Sequence, residues 1–151
     1  MGRMYVAVFE GVSVSAVQDL FEVNSASTKV TIVHGVNITD DADETSEQLP
    51  FTMKRSTGTS GSGGSAPTAR PMQDGDAAFA GTIEANNTTR ATTVTTIRRK
   101  SGNLLGDGLE WLFTPEMRPV IAPSGRLVVG LEAAPGSART LSGEIVLEEI
   151  G

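Results

Sequence analysis

Alternating apolar residues in one segment constrain the fold of this chain more than any other feature. Between residues 28 and 39, every second position belongs to one set, and Val33 is the one apolar residue outside it. The set is Val30, Ile32, His34, Val36 and Ile38. Because successive side chains of a strand point to opposite faces, the segment predicts a long, half-buried β-strand with this set on one face.

The same alternation recurs in four further segments. They are the segments of Leu49, Phe51 and Met53, of Leu109, Trp111 and Phe113, of Leu127, Val129 and Leu131, and of Leu141, Ile145 and Leu147. Weaker alternation at residues 3–9 and 79–85 and in the Thr-rich segment around Val94 brings the number of predicted strands to about eight. Residues 14–23 have the i,i+4 spacing of a short helix, and a bent strand fits them almost as well.

Many short strands, joined by Gly- and Pro-containing turns and not alternating with helices, predict an all-β protein. The architecture that fits best is an antiparallel β-sandwich of jelly-roll type with at most one short helix. Ten residues are expected to share its core: Val30, Ile32, Val36, Ile38, Leu109, Trp111, Phe113, Leu127, Val129 and Leu131.

The chain has 151 residues, a length typical of one domain. Residues 56–78 consist mostly of Gly, Ser, Thr, Pro and Ala, a composition that predicts flexible coil. Neither flank is long enough for a complete sandwich, so this segment is interpreted as an excursion from a single domain spanning residues 1–151. We expect the excursion to become ordered only against a partner and to supply contacts to it.

Composition argues against several functional classes. Twelve Lys and Arg against 18 Asp and Glu give a net charge of −6, which disfavours direct binding to nucleic acid. There is no cysteine, and His34 is the single histidine, so neither a thiolate nucleophile nor a multi-histidine metal site can form within one chain. No uncharged apolar run reaches the roughly 20 residues that span a bilayer, and we expect no membrane contact.

The acidic residues after the first strand could supply oxygen ligands for Ca²⁺. They are Asp40, Asp41, Asp43, Glu44 and Glu47. They lack the spacing and the turn glycine of an EF-hand, so a solvated acidic loop is the favoured interpretation.

Two further motifs suggest catalysis or phosphate binding only at first sight. His34 would need a serine on a constrained elbow such as G-x-S-x-G, which is absent, so we expect a core or interface histidine with a backbone partner. The glycines of residues 58–65 (GTSGSGGS) are not followed by the lysine of a phosphate-binding loop. The chain is therefore expected to be no enzyme and to have no catalytic, cofactor-binding or metal-binding residues.

Two surface interpretations stay open. Arg98, Arg99 and Lys100 are favoured as a solvated strand end that discourages edge pairing, with a protein-binding patch as the alternative. Trp111 is favoured as a core residue, with a sugar-stacking platform as the alternative.

Several segments resemble small structural proteins of tailed bacteriophages. They are residues 18–23 (QDLFEV), 115–119 (PEMRP), 123–129 (PSGRLVV), 142–145 (SGEI) and 148–151 (EEIG). The resemblance covers both flanks of the Gly/Ser-rich excursion but not the excursion itself. It implies a jelly-roll decoration (cement) protein, a class that has no catalytic residues to transfer.

The implied function is a virion structural protein that binds the outer surface of an assembled phage head and stabilises it. Its partner would be the major capsid protein of the shell, with self-association as a dimer or trimer. It would be made in the host cytoplasm and end on the outer capsid surface of the virion. The alternative is a carbohydrate- or receptor-binding β-sandwich of a virion fibre or tail, which would need an exposed aromatic platform. A hydrolase or isomerase on a cupin-like barrel is disfavoured by the single histidine.

Overall fold

A computed structural model describes residues 2–42 and 45–151, which form eleven strands and no α-helix. The strands are β1 (Arg3–Val14), β2 (Gln18–Asn24), β3 (Val30–Asp40), β4 (Gln48–Ser56), β5 (Arg70–Pro71), β6 (Thr82–Asn87), β7 (Val94–Asn103), β8 (Leu109–Leu112), β9 (Val120–Ile121), β10 (Arg126–Leu131) and β11 (Arg139–Ile150). A single 3₁₀ turn, Pro115–Met117, lies between β8 and β9. No helix among these residues has the length and apolarity needed to cross a membrane.

The strands form two sheets with antiparallel pairing throughout. The first sheet has the order β5-β1-β11-β3-β8, with β9 also paired to β3, and the second sheet has the order β6-β2-β10-β4-β7. With the short strands β5 and β9 and the edge strand β6 left out, each sheet has four strands, and successive strands alternate between the sheets except at β4 and β7, which are neighbours in the second sheet. This is the winding of a jelly roll, and the predicted all-β antiparallel sandwich is confirmed.

The core between the sheets contains eight of the ten residues predicted for it, all buried. They are Val36, Ile38, Leu109, Trp111, Phe113, Leu127, Val129 and Leu131. The prediction was wrong for Val30 and Ile32, which are only half-buried, whereas Val33 is fully buried. The cause is a β-bulge: β11 pairs Val146 with Gly35 but its next residue with Val33, which leaves His34 as an extra residue. An extra residue in a strand reverses which face each following side chain occupies.

The helical interpretation of residues 14–23 was also wrong, since β1 ends at Val14 and β2 begins at Gln18. The i,i+4 pairs do not form one face, because Val17 is 39% exposed whereas Phe21 is fully buried. Strand β2 is buried on both sides, and this explains why its sequence lacks simple alternation.

Residues 56–78 differ from the unstructured coil that their composition predicted. The segment forms isolated bridges from Ser62 to Thr89, just after β6, and from Ser65 to Ala85 within β6. Its strand β5 pairs with β1, and the Tyr5 hydroxyl donates to the Ala77 carbonyl at 2.9 Å. Gly61 and Gly64 lie close against neighbouring backbone: a Cβ at Gly64 would lie 2.1 Å from the Ala85 carbonyl oxygen. Small residues here permit close packing of backbone on backbone.

Candidate interaction surface

The outer face of the second sheet is covered by loops that enclose buried charges. Glu22 is fully buried, and its carboxylate accepts hydrogen bonds from the Ser60 hydroxyl and, at 2.9 Å, from the Gly61 amide. Arg126 completes the site, with its Nε 2.9 Å from a Glu22 oxygen. The Gly/Ser-rich residues 58–65 therefore surround one of the chain's own carboxylates.

A second ion cluster under the same loops is centred on Glu132. Arg90 bridges two acids, with Nε 3.0 Å from Asp19 and Nη2 2.6 Å from Glu132, and the buried Lys54 also pairs with Glu132. Burial opposes ionisation of Glu132, but hydrogen bonds from Arg90, Lys54 and Thr52 outweigh it and lower the pKa of Glu132 from 4.5 to about 2. These charges hold the loops onto the second sheet.

Two members of the acidic stretch bind a buried arginine. The Arg139 side chain is 2% exposed, and its Nη atoms lie 2.8 Å from Glu47 and 3.5 Å from Asp40. The hydrogen bond from Arg139 lowers the pKa of Glu47. The solvated-loop interpretation was thus wrong for these two residues. Asp41 accepts a hydrogen bond from a β11 serine, and positions 43 and 44 lie outside the described residues. Within the described ranges, no group of three His, Cys, Asp or Glu side chains could hold a metal ion.

The basic cluster on β7 mostly closes the side of the sandwich. Arg98 lies over the Phe113 ring, 4.9 Å from its centroid, and donates to the Met117 carbonyl at 3.1 Å. Lys100 donates to the backbone carbonyl of Glu110 at 3.0 Å. Since two of the three cations link β7 to the β8 side, neither a fully solvated strand end nor a free basic patch describes the cluster.

His34 and Trp111 also occupy definite positions. The His34 Nε2 lies 2.8 Å from an oxygen of Glu148 on β11, so its ring has a side-chain partner in place of the backbone partner expected. Trp111 is 9% exposed and stacks on Phe113 with ring centroids 6.4 Å apart, which confirms the core interpretation. All seven aromatic residues of the chain are described and none is exposed, so they form no stacking platform for sugars.

The outer face of the first sheet differs, because loops leave much of it open and it carries apolar side chains. Backbone pairing places Val6, Val146, Gly35 and Leu112 side by side across β1, β11, β3 and β8. We call these four residues the apolar row. Leu112 at its end is 82% exposed, and the two valines are half-buried.

A second row, two residues further along the strands, carries two carboxylates. It consists of Val8, Glu144, Asn37 and Glu110, paired in that order, and all four are exposed. We call it the acidic row. An apolar strip beside a polar, charged strip is the arrangement typical of a protein interface.

Between the two rows the surface contains a depression of about 260 Å³. Its walls include Val146 and Leu112, and Gly35 lies between them in the row, where a side chain is absent. A Cβ at Gly35 would lie 2.9 Å from the Trp111 carbonyl oxygen. A glycine inside a strand often marks close approach by a ligand or another backbone.

The Gly/Ser-rich segment borders the same face. A groove of about 380 Å³ is lined on one side by Val6, Val8 and Glu10 of β1 and on the other by Pro67, Thr68 and Arg70. The excursion thus extends the open face beyond the edge of β1.

Sequence reasoning missed this surface, although a signal for it was present. Leu112 and Val146 are apolar residues at positions that alternation assigns to the solvent side, between core residues such as Trp111 and Ile145. Apolar residues out of phase with the core were the signal.

Comparison of the chain with protein-family models, with curated proteins and with solved structures gave no significant match.

Proposed function

We propose that this protein is a non-enzymatic virion structural protein, a decoration (cement) protein that binds the outer surface of an assembled phage head. The observation that carries the proposal is the open face of the first sheet, where the apolar row lies beside the acidic row. Leu112, at 82% exposure, provides apolar area that only a partner can bury.

The sandwich suits such a role because acids beneath the loops on its other side are paired within the protein. Glu22, Glu132 and Asp19 bind cations or donors of the protein itself, so the loops over the second sheet stabilise the fold. The outer face of the first sheet is left open to another protein. The major capsid protein of the shell is the partner we propose.

Binding to a lattice stabilises the lattice by mass action. A protein that binds assembled heads and not free subunits shifts the equilibrium toward assembly. If copies associate as dimers or trimers, one oligomer contacts neighbouring capsomers, and its second contact benefits from a high effective concentration. The outer capsid surface of the virion is the location that follows.

The experiment uses heads of the phage that carries this chain, assembled without it. Purified protein is mixed with these heads, the heads are sedimented, and the bound protein is counted per capsid subunit. We expect saturable binding at a fixed ratio and a higher temperature of head disruption. Absence of binding by the folded, intact protein would overturn the proposal.

A further inference from the structure

We infer that the depression over Gly35 is a socket for one apolar side chain of the shell protein, presented by an extended segment that also carries a lysine or arginine. The basic residue would pair with Glu110 and Glu144. This inference rests on the proposed function and names the chemistry of its partner.

The shape of the socket follows from the backbone. Gly35 lies between Val146 and Leu112 in the apolar row, so a gap one side chain wide separates two apolar walls. The gap measures about 260 Å³ and opens to solvent at the surface of the sheet. An aliphatic side chain inserted there would contact both walls, and burial of an anchor in a pocket is how interfaces concentrate their binding energy.

The charges beside the socket select the occupant. Glu110 and Glu144 are exposed, and among the described residues neither carboxylate takes part in a hydrogen bond or ion pair. A lysine or arginine next to the anchor would therefore meet two unpaired acids. Electrostatic complementarity of this kind contributes specificity and speeds association.

The same charges argue against packing of two such faces from two copies. A face-to-face dimer in which the acidic rows of the two copies align would juxtapose like charges, which is unfavourable. His34, on β3, is already paired with Glu148 and is not available as a compensating cation. A different surface with basic character is the occupant that fits.

The test compares two pairs of matched variants in binding to heads that lack the protein. Leu112→Ser removes a wall of the socket, and Leu105→Ser removes another exposed leucine, in the turn between β7 and β8. We expect Leu112→Ser to weaken binding about tenfold or more and Leu105→Ser to leave it unchanged.

The second pair tests the charges. The double variant Glu110→Gln with Glu144→Gln should bind more weakly than wild type and lose affinity less steeply between low and high salt, because ion pairs are screened by salt. Glu116→Gln, in the exposed 3₁₀ turn, is the control and should behave as wild type. Circular dichroism and urea unfolding of each variant confirm that the fold is intact.

The outcomes separate the socket from the proposed function. If wild type binds heads and both test variants bind equally well, the socket is wrong and the decoration role stands. If wild type does not bind heads, the decoration role fails and the socket with it. If Leu112→Ser dissociates an oligomer of the free protein in sedimentation velocity, the occupant is a second copy and the inference is overturned.

Discussion

Replacing Glu132 by glutamine measures how much the ion cluster beneath the loops stabilises the fold. Burial opposes ionisation of this carboxylate, yet Arg90, Lys54 and Thr52 lower its pKa from 4.5 to about 2. At about 1.36 kcal/mol per pKa unit, the lowering corresponds to a stabilisation on the order of 3 kcal/mol at pH 7. We expect Glu132→Gln to lose about this much free energy of unfolding at pH 7.

The pH dependence has a definite sign. Because the pKa of Glu132 is lower in the folded than in the unfolded protein, its contribution is complete above about pH 5 and is lost as pH falls from 4.5 toward 2. The variant lacks the contribution at every pH, so the difference between the two proteins should shrink as the solution is acidified.

Urea unfolding followed by the fluorescence of Trp111, the single tryptophan, measures both effects at pH 7, 5 and 3. The control Glu144→Gln removes an exposed, unpaired carboxylate and should leave stability within about 0.5 kcal/mol of wild type. Equal stability of Glu132→Gln and wild type at pH 7, or a difference that does not change with pH, would refute the reasoning.

Three further substitutions test other parts of the structure by urea unfolding followed by circular dichroism. Trp111→Ala should cost about 3 to 5 kcal/mol, because it empties core volume beside Phe113, and wild-type stability would show that the ring is not packed. Ser60→Ala should cost about 1.5 to 3 kcal/mol, because it removes a hydrogen bond to the buried Glu22 carboxylate, and no loss would mean that the loop does not hold this charge. Arg139→Met should cost about 3 to 5 kcal/mol at pH 7, because it leaves acids without their buried cation, and a stable variant would contradict the pairing.

The positions of the strands were predictable because the alternation of apolar and polar residues is a local property of the sequence. Which side chains face the core was predictable where the strands pair without a bulge. Leu109 and Trp111 face the core as their spacing predicted. The error at Val30 and Ile32 arose from the bulge at His34, which depends on how β3 pairs with β11 more than a hundred residues later. Local sequence does not encode such a register shift.

The buried charges were unpredictable for the same reason. Glu22 takes its donors from Ser60 and Gly61, 38 and 39 residues away, and Arg139 takes Asp40 and Glu47 from another part of the chain. A sequence shows that these residues are polar but not that they meet, so the sequence indicated a solvated loop for Asp40 and Glu47 and no buried partner for Glu22.

The Gly/Ser-rich composition of residues 58–65 has two structural explanations that sequence alone does not separate. One is entropy-rich coil, and the other is close approach of backbone to backbone, which also needs small side chains. The structure has the second, since a Cβ at Gly61 would lie 2.7 Å from the Thr89 carbonyl oxygen. The small side chains of this segment allow its backbone to pack closely against β6 and its neighbours, and this close packing, rather than mobility, explains the composition.

For the decoration role proposed above, the asymmetry of the two outer faces predicts how the protein is oriented on a head. The second sheet is covered by loops bonded to buried charges, whereas the first sheet leaves the apolar row open, so the first sheet should face the shell and the loops should face solvent. The chain has no cysteine, so a single introduced thiol can be labelled without background. We expect Asn37→Cys, on the open face, to be protected from a maleimide when the protein is bound to heads, and Ser62→Cys, exposed on the loop side, to stay reactive. Both thiols should react equally in the free protein, because both positions are exposed there. Protection of Ser62→Cys with continued reactivity of Asn37→Cys would reverse the orientation and move the binding surface to the loops.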